Sequence, residues 1–188
     1  VLIDLAYQGM GSGLVEDAQG LRLMASRLGE LIVAASCSKN LGLYRERTGV
    51  ALFFGRDTQS AAATQSHGLG AARRVYSMPP AHGALLAGRV LSDPQLRLSW
   101  ERELEHVCGR MISLRTQLSE KLSAKTDQDF SFIAGEKGMF SFLGLSVEQA
   151  KGLRQTHGLY MLDSSRINVA ALNADNMDKV VAAVASAL

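Results

Sequence analysis

The amino-acid sequence predicts an α/β fold that begins with a parallel sheet and continues into a smaller α+β region. Apolar segments at 1–7, 31–36 and 50–54 have the length and composition of buried strands. A segment with helical spacing separates the first two strands, and a strand–helix–strand order is typical of parallel sheets. Beyond residue 125 the apolar segments become shorter, which indicates a second region of different architecture.

The helices of the first region follow from apolar spacing and turn residues. The first predicted helix carries apolar side chains three and four positions apart. They are Leu14, Ala18, Leu21, Ala25 and Leu28. A polar, alanine-rich segment at 58–74 predicts the second helix. Pro79 and Pro80 end that helix and begin a third one, which reaches about residue 91.

A long helix at about 94–124 is predicted to join the two regions. Asp93 and Pro94 mark its start, because proline favours the first helical position. Its apolar residues recur in steps of three and four, and they are Trp100, Leu104, Val107, Met111, Leu114, Leu118 and Leu122. A single helix packed on a globular domain is favoured over a coiled coil. We place the domain boundary inside this helix, between residues 1–107 and residues 108–188.

Three segments of the second region have the composition of short strands. They are 129–145, 160–162 and 167–169. Gly135 and Gly138 punctuate the first segment, so we expect short strands around these glycines.

Two helices of the second region are predicted from their N-terminal residues. Ser146 and Gln149 have the spacing of a capping box, which predicts a helix at 146–157. Asn173 is expected to cap a final helix that extends to the end of the chain.

The composition argues against several classes of function. The 188 residues carry a net charge of +2, so the chain lacks the basic excess that nucleic-acid binding requires. Cys37 and Cys108 cannot form a disulfide framework or a four-ligand zinc site, and the four histidines lack metal-ligand spacing. No apolar run reaches the roughly 18 residues that a membrane span needs. We therefore expect no metal, nucleic-acid or membrane site.

The chain starts on an apolar strand rather than on methionine. The residues after Val1 lack the basic region and the cleavage site of a signal peptide. A buried strand needs neighbours on both sides, so we expect a further segment before Val1. The cytoplasm is the expected compartment, and mitochondria are the alternative if a targeting segment precedes Val1.

The glycines at 9–13 invite a dinucleotide-binding interpretation that their spacing contradicts. Gly13 comes one position early for the G-x-G-x-x-G fingerprint, and no acidic residue ends the next strand. This segment is therefore predicted to be a turn.

The densest group of chemically active side chains follows the strand at 31–36. Ser36, Lys39 and Arg47 lie close together in sequence, and open α/β sheets bind ligands at the carboxyl ends of their strands. Hydroxyl and guanidinium groups suit a phosphate, and a lysine desolvated beside cations is a good Schiff-base former. From these residues alone, a solvated lysine in a basic loop is the slightly favoured interpretation.

Five segments, taken in order, resemble one family of enzymes. Residues 36–49 follow the pattern Ser-x-Ser-Lys-x-x-Gly-Leu-x-x-x-Arg-x-Gly, which is similar to the pyridoxal-phosphate lysine motif of class I aminotransferases. The other four segments are Asp4-Leu-Ala-Tyr-Gln-Gly9, Tyr76-Ser-Met-Pro-Pro-Ala-His-Gly83, Gly138-Met-Phe-Ser-Phe142 and Ser165-Arg-Ile-Asn-Val169. Together they resemble the aspartate and aromatic aminotransferase subgroup and cover nearly the whole chain.

The resemblance implies a fold-type-I pyridoxal-phosphate-dependent transferase. Residues 1–107 would be the C-terminal part of the large cofactor-binding domain, and residues 108–188 would be the small α+β C-terminal domain. An N-terminal half would then be missing. It would supply the rest of the sheet and further cofactor-binding groups.

The resemblance also implies cofactor roles for five side chains. Lys39 would bind pyridoxal phosphate covalently and would later move the proton at the substrate Cα. Asp4 would pair with the pyridine nitrogen, and Tyr7 would donate to the phenolic oxygen of the cofactor. Ser36 and Arg47 would hold the phosphate. Without the resemblance, Asp4 would be interpreted as a turn cap and Tyr7 as a core aromatic.

Four further side chains match family positions around the substrate. Arg166 would bind the substrate α-carboxylate as a bidentate fork, although by itself it would be interpreted as a surface arginine. Arg73 would bind the distal carboxylate of a dicarboxylic substrate. Arg73 and Ser77, which is assigned to the cofactor, would act in the site of the neighbouring subunit, so a homodimer is expected. Phe140 would lie near the substrate, with core packing as an equal alternative.

The implied activity is that of an aspartate aminotransferase. It would transfer an amino group between L-aspartate and 2-oxoglutarate, giving oxaloacetate and L-glutamate. Arg73 is the main reason for this preference. Met78 stands where the subgroup commonly has asparagine, so an aromatic or broad-specificity aminotransferase is the alternative. A truncated, inactive fragment of such an enzyme is a second alternative.

Overall fold

The structure, a computed structural model, describes all 188 residues and divides into two compact units, Val1–Glu105 and His106–Leu188. Unit 1 contains a three-stranded sheet and unit 2 contains a two-stranded sheet. None of the helices combines the length and the apolar character that a membrane crossing requires. That these units are parts of a large and a small domain stays a prediction.

The sheet of unit 1 has the order β1-β2-β3, formed by Leu2–Leu5, Leu31–Ser36 and Gly49–Phe54. Strands β1 and β2 are parallel, as expected. The prediction of a fully parallel sheet is wrong for β3, which pairs antiparallel with β2. Only a loop without a helix joins β2 to β3, whereas parallel neighbours need a longer crossover connection.

The buried face of the sheet is carried mainly by β2. Leu31 and Val33 are buried, whereas Ile32 between them is 42% exposed. Within these 188 residues only β2 lies beside strand β1, and Leu2 is 67% exposed while Ile3 is half-buried. The burial of β1 that the sequence predicts needs a second neighbour and stays a prediction.

The predicted helices of unit 1 are all present. They are α1 Gln19–Arg27, α2 Thr58–Val75, α3 His82–Ser92 and α4 Pro94–Lys125, which continues into unit 2. The first is shorter than its apolar pattern suggests, since Glu16–Ala18 forms a 3-10 turn before it. Asp57 caps α2 by accepting a hydrogen bond from the Ser60 backbone N–H.

Unit 2 combines the end of α4 with short elements. They are α5 Ser131–Gly135, β4 Phe140–Phe142, α6 Val147–His157, β5 Arg166–Asn168, a 3-10 turn Val169–Ala171 and α7 Met177–Ala187. Strands β4 and β5 pair antiparallel, with Phe142 opposite Arg166. The capping box of α6 is confirmed, because Gln149 N donates to Ser146 Oγ and Ser146 N donates to Gln149 Oε1.

Two strand expectations for unit 2 are wrong, and a third is confirmed with its bounds shifted by one residue. The segment before Gly135 forms the one-turn helix α5, because Phe130 and Ile133 lie three positions apart and both enter the core. Residues 160–162 form no strand, since the Ser165 N–H donates to the Leu162 carbonyl and closes a turn. The predicted strand at 167–169 ends one residue early, where the 3-10 turn begins.

The start of α7 also differs from the prediction. Asn176, not Asn173, occupies its N-cap position. The Asn173 side chain instead accepts hydrogen bonds from the backbone N–H groups of Asp175 and Asn176, at 2.9 and 3.0 Å. Asn173 therefore stabilises the turn that leads into the helix.

Unit 2 has a contiguous hydrophobic core of its own. Its most deeply buried side chains come from α4 to α7 and the segments between them, and they include Leu118, Leu122, Ile133, Leu153 and Val184. Every member of this cluster lies between residues 114 and 184. Unit 2 therefore buries its apolar side chains within itself.

Candidate active site

The carboxyl ends of β1 and β2 bring predicted site residues of unit 1 to one edge of the sheet. Asp4 lies in β1 opposite Ala34, and Tyr7 follows that strand. Ser36 ends β2, and Lys39 follows three positions later. The Lys39 Nζ atom lies 4.6 Å from the centroid of the Tyr7 ring. Because the two strands are parallel, a ligand at this edge meets side chains from both.

Ser38, to which the sequence analysis assigned no role, is the most buried polar residue of this edge, at 6% exposed. The Ser36 hydroxyl donates to Ser38 Oγ at 3.0 Å, and the Ser38 backbone N–H donates to Ser36 Oγ at 3.1 Å. These bonds fix the backbone one residue before Lys39. Its place directly before the lysine in the motif was the available signal.

Asn40, which the sequence analysis also missed, anchors the other side of Lys39. Its Nδ2 donates to the Gln8 carbonyl at 3.2 Å, and Trp100 Nε1 donates to the Asn40 carbonyl at 2.6 Å. The Asn40 Oδ1 atom is buried without a hydrogen-bond partner. A buried acceptor of this kind marks a place where a ligand can supply a donor.

Arg47 lies on a segment that the start of α3 holds in place. Glu46 Oε2 and His82 Nδ1 are 2.9 Å apart. A Cβ atom added to Gly83 would come within 1.9 Å of Thr48 Oγ1, so only glycine permits this close approach. The Arg47 side chain is exposed and donates to the Tyr44 carbonyl at 2.9 Å. The guanidinium is thus available at the surface of unit 1.

Three non-glycine residues of the chain have a positive φ angle, and all belong to segments singled out from the sequence. They are Arg47 at 50°, Ser77 at 61° and Ser165 at 62°. Arg47 is a predicted phosphate ligand, Ser77 is predicted to contact the cofactor of the neighbouring subunit, and Ser165 directly precedes Arg166. Left-handed backbone at non-glycine residues is uncommon and concentrates at functional sites. Backbone geometry therefore supports the same segments as the sequence motifs.

Arg73 and Ser77 are not bonded to the predicted site residues around Lys39. Arg73 belongs to the last turn of α2, and the Ser77 N–H donates to its carbonyl at 3.1 Å. Both side chains are exposed, and no hydrogen bond, ion pair or ring contact joins them to Lys39, Ser36 or Arg47. The structure of this chain therefore does not bring these two predicted residues into the site around its own Lys39.

Arg166 and Phe140 belong to unit 2 and lie in contact with each other. The Arg166 guanidinium carbon is 4.4 Å from the centroid of the Phe140 ring, a cation–π arrangement. Both residues line an apolar cavity of about 660 Å³, together with Leu159, Met161 and Leu172. The contact orients the guanidinium and leaves its donors for an anionic group.

The glycine-rich turn at residues 9–13 of unit 1 donates backbone hydrogen bonds to the carboxylate of Asp17. The backbone N–H groups of Gly9 and Gly11 donate to Asp17 Oδ2, each at 2.9 Å, and Ser12 N–H donates to Asp17 Oδ1. An internal carboxylate already satisfies the amides that a dinucleotide phosphate would need. This agrees with the exclusion of a dinucleotide site from the spacing of the glycines.

No group of three or more histidine, cysteine, aspartate or glutamate side chains is arranged to hold a metal ion.

The Cys37 thiol has no feature that would activate it as a nucleophile. Burial raises the pKa of this thiol above the ordinary value. A protonated thiol is a poor nucleophile, and no acid–base partner is bonded to it.

The side chains at the carboxyl ends of β1 and β2 fit a phosphorylated aromatic aldehyde cofactor such as pyridoxal phosphate. Lys39 supplies an amine, Tyr7 a phenol and Asp4 a carboxylate at one sheet edge. Ser36 supplies a hydroxyl at the end of β2. The unpartnered Asn40 Oδ1 lies beside them. These groups can form a covalent bond, accept or donate at a ring, and bind an anion.

Comparison with known proteins agrees with this class of site. The profile of the family described as "Aminotransferase class I and II" matches residues 1–184. The chain therefore belongs to the class I and II aminotransferase family. It is 48% identical over 182 residues to the aromatic-amino-acid aminotransferase of Paracoccus denitrificans, covering 96% of this chain and 46% of that protein. It is 44% identical over 188 residues to the aspartate aminotransferase of Escherichia coli K12, covering 48% of it.

Solved structures show the same relationship. An aromatic amino acid aminotransferase with 3-indolebutyric acid superposes with a TM-score of 0.95 at 45% identity, covering 99% of this chain and 48% of that one. An aromatic-amino-acid aminotransferase from Burkholderia pseudomallei, covalently bound to pyridoxal phosphate, gives a TM-score of 0.95 at 39% identity, covering 100% of this chain and 47% of that one. The chain spans about half the length of the relatives it matches.

Proposed function

We propose that the full-length protein containing this chain is a pyridoxal-phosphate-dependent aminotransferase with Lys39 as its covalent cofactor-binding residue. The observation that carries the proposal is the placement of Lys39 at the carboxyl end of β2, 4.6 Å from the Tyr7 ring and next to the carboxyl end of β1. Family membership over residues 1–184 supports it.

Each residue at this edge has a task that its chemistry allows. Pyridoxal phosphate, when bound, supplies an electron sink and carries the amino group between the two half-reactions. Asp4 would hold a proton on the ring nitrogen, and Tyr7 would donate to the ring oxygen. Ser36 and Arg47 would bind the phosphate through a hydroxyl and a guanidinium. Lys39 Nζ would be the base that moves the proton between the substrate Cα and the C4′ atom of the cofactor.

Two arginines are proposed to bind carboxylate groups of the substrate. Arg166, held against Phe140, would bind the α-carboxylate with two parallel N–H donors. Arg73 and Ser77 are exposed and unbonded to the local site, which supports a homodimer in which they serve the neighbouring subunit. A cytoplasmic location completes the proposal.

The favoured reaction is exchange of the amino group between L-aspartate and 2-oxoglutarate. Arg73, exposed at the end of α2, supports it because a second guanidinium can bind the distal carboxylate of a dicarboxylic acid. An aromatic amino donor is the second candidate. Met78 favours that candidate, because an 81% exposed apolar side chain lies five positions from Arg73. Relatives named for each substrate have similar identity to this chain.

Replacement of Lys39 tests the proposed function. In the full-length protein, Lys39→Ala should lower kcat for transamination by about 10³-fold or more, because proton transfer at Cα is lost. Lys151→Ala, on the exposed face of α6, is the matched control and should keep the wild-type rate. Borohydride reduction of the wild type, followed by peptide mass mapping, should label Lys39. A label on another lysine would contradict the proposal.

Relative rates with two amino donors test the substrate. With 2-oxoglutarate as acceptor, kcat/KM for aspartate should exceed kcat/KM for phenylalanine in the wild type. Arg73→Leu should reverse that order, because it removes the guanidinium and adds apolar surface. A wild-type preference for phenylalanine would instead establish the second candidate.

A further inference from the structure

Arg115 is the only charged residue of the chain that is buried, with 2% of its surface exposed. It lies on α4 within unit 2, next to the core residue Leu114. Burial lowers the pKa of its guanidinium from the ordinary value, and the Glu136 carboxylate opposes that shift. A buried charge is expensive unless hydrogen bonds satisfy it. Both Nη atoms of Arg115 have partners, whereas its Nε atom has none.

The Arg115 guanidinium binds the loop that leads from α5 into β4. Its Nη1 donates to the Ile133 carbonyl and to Glu136 Oε2, at 3.3 and 3.1 Å. Its Nη2 donates to the Gly138 carbonyl at 2.9 Å and also to the carbonyl of Phe140. The carbonyl groups at the two ends of the loop are thus held by one planar side chain.

Ser141 closes this network on the strand itself. Arg115 Nη1 donates to Ser141 Oγ at 3.3 Å, and the Ser141 hydroxyl donates to Glu136 Oε2. Ser141 is 1% exposed and faces Ile167 across the β4–β5 pair. The buried guanidinium is therefore bonded to the strand that carries Phe140.

Phe140 links the network to the predicted carboxylate ligand. Its ring lies 4.4 Å from the Arg166 guanidinium carbon, and its backbone pairs with Asn168 in β5. The carbonyl that Arg115 holds belongs to Phe140 itself. A displacement of this loop would therefore move the ring against which Arg166 is oriented.

We propose that Arg115 is a positioning residue for Arg166. It fixes the loop at 133–140, and through the Phe140 ring it sets the orientation of the guanidinium that receives the substrate α-carboxylate. The inference rests on the proposed function, because it needs a carboxylate substrate at Arg166. Lysine cannot replace Arg115 in this network. An ammonium group donates from a single nitrogen atom and lacks the planar arrangement of the guanidinium donors.

The test compares substrates with and without the α-carboxylate in the full-length, cofactor-loaded enzyme. Arg115→Lys should lower kcat/KM for the amino acid by about tenfold, mainly through KM. The reason is that Arg166 would no longer be held in the orientation in which it pairs with the α-carboxylate. The rate of the half-reaction with the amine that lacks only the α-carboxylate should change less than about twofold. Succinate binding, measured by titration calorimetry, should weaken by about tenfold as well.

Arg110→Lys is the matched control on the same helix. Arg110 Nη2 donates to the Leu172 carbonyl at 2.8 Å and makes no bond to the loop at 133–140. This variant should keep the wild-type ratio of amino-acid to amine rates. If Arg115→Lys does not fold, Glu136→Gln replaces it, since it preserves shape while removing the carboxylate that binds Arg115 and Ser141.

The outcomes separate the two hypotheses. An equal fall in the amine and amino-acid rates, or unchanged succinate affinity in Arg115→Lys or in Glu136→Gln, would overturn the positioning role and leave the enzyme an aminotransferase. A wild-type enzyme without transamination would overturn the proposed function instead. A selective loss for the carboxylate-bearing ligands supports the inference.

Discussion

Unit 2 has a contiguous buried core, whereas unit 1 carries the proposed cofactor-binding lysine beside a sheet in which several apolar side chains are exposed. Leu118 and Leu122 of unit 2 are fully buried, but Leu52 and Phe54 on β3 of unit 1 are 39% and 42% exposed. Both edge strands of the unit 1 sheet have a neighbour on one side only. Buried apolar side chains are thus concentrated in unit 2, whereas the proposed cofactor-binding lysine lies in unit 1.

The largest expected difference between the units is in the cost of removing a core leucine. Within the 188-residue chain, Leu118→Ala should lower the free energy of unfolding by about 3 kcal/mol, because it leaves a cavity in a packed core. Leu52→Ala should cost about 1 kcal/mol, because that side chain is already partly solvated. Urea denaturation measures both values. Equal costs would remove the contrast between the units.

A close backbone approach in unit 1 offers a sharper test of its chemical role. In the full-length protein, Gly83→Ala should weaken pyridoxal-phosphate affinity by about tenfold, because the new Cβ would displace Thr48 and with it Arg47. Gly88→Ala on the same helix α3 is the control, since a Cβ there meets open space. Fluorescence titration with the cofactor gives both affinities. Unchanged affinity in Gly83→Ala would separate Arg47 from phosphate binding.

The smallest expected effect concerns one exposed carboxylate in each unit. Hydrogen bonds from the Ser60 N–H and hydroxyl hold the pKa of Asp57 below its ordinary value. In unit 2, Lys121 lowers the pKa of Asp178 through a hydrogen bond of 2.6 Å and through its charge. Each carboxylate therefore stabilises the folded chain above its unfolded pKa, and that contribution disappears as the pH falls through its lower folded pKa.

Salt distinguishes the two causes. Raising the salt concentration to about 0.5 M should move the pKa of Asp178 back toward its ordinary value, because its ion pair is exposed and screened. The pKa of Asp57 should move less, since its partners are neutral. Carboxyl chemical shifts followed by NMR against pH would measure both. A larger salt shift at Asp57 would contradict the assignment of causes.

The sequence predicted best the features whose signals are local. Asp93, Pro94 and the apolar spacing after them located α4, and the pair Ser146 and Gln149 located the capping box of α6. The direction of β3 was missed, because apolar composition identifies a strand but not its pairing partner. Helix α5 was missed because Gly135 and Gly138 also suit turns between strands.

The candidate site was predicted through its motifs, and its supporting contacts were not. Lys39 and Tyr7 do come together, and Phe140 does contact Arg166. Arg115 gave no signal, since an arginine on a long helix is usually solvated and most of its partners are backbone carbonyls. Contacts to main-chain atoms leave no residue type to recognise. The roles of the site residues stay predictions until the variants above are measured.

The left-handed backbone at Arg47, Ser77 and Ser165 restricts which mutations these positions can accept. Valine, isoleucine and threonine are excluded by the main chain before any chemistry is considered, whereas asparagine and glycine fit the conformation. A library that randomises these codons should therefore return few β-branched survivors even in a screen for folding alone. Enrichment of glycine in that screen, and its loss in a screen for activity, would separate the demands of the backbone from those of the side chain.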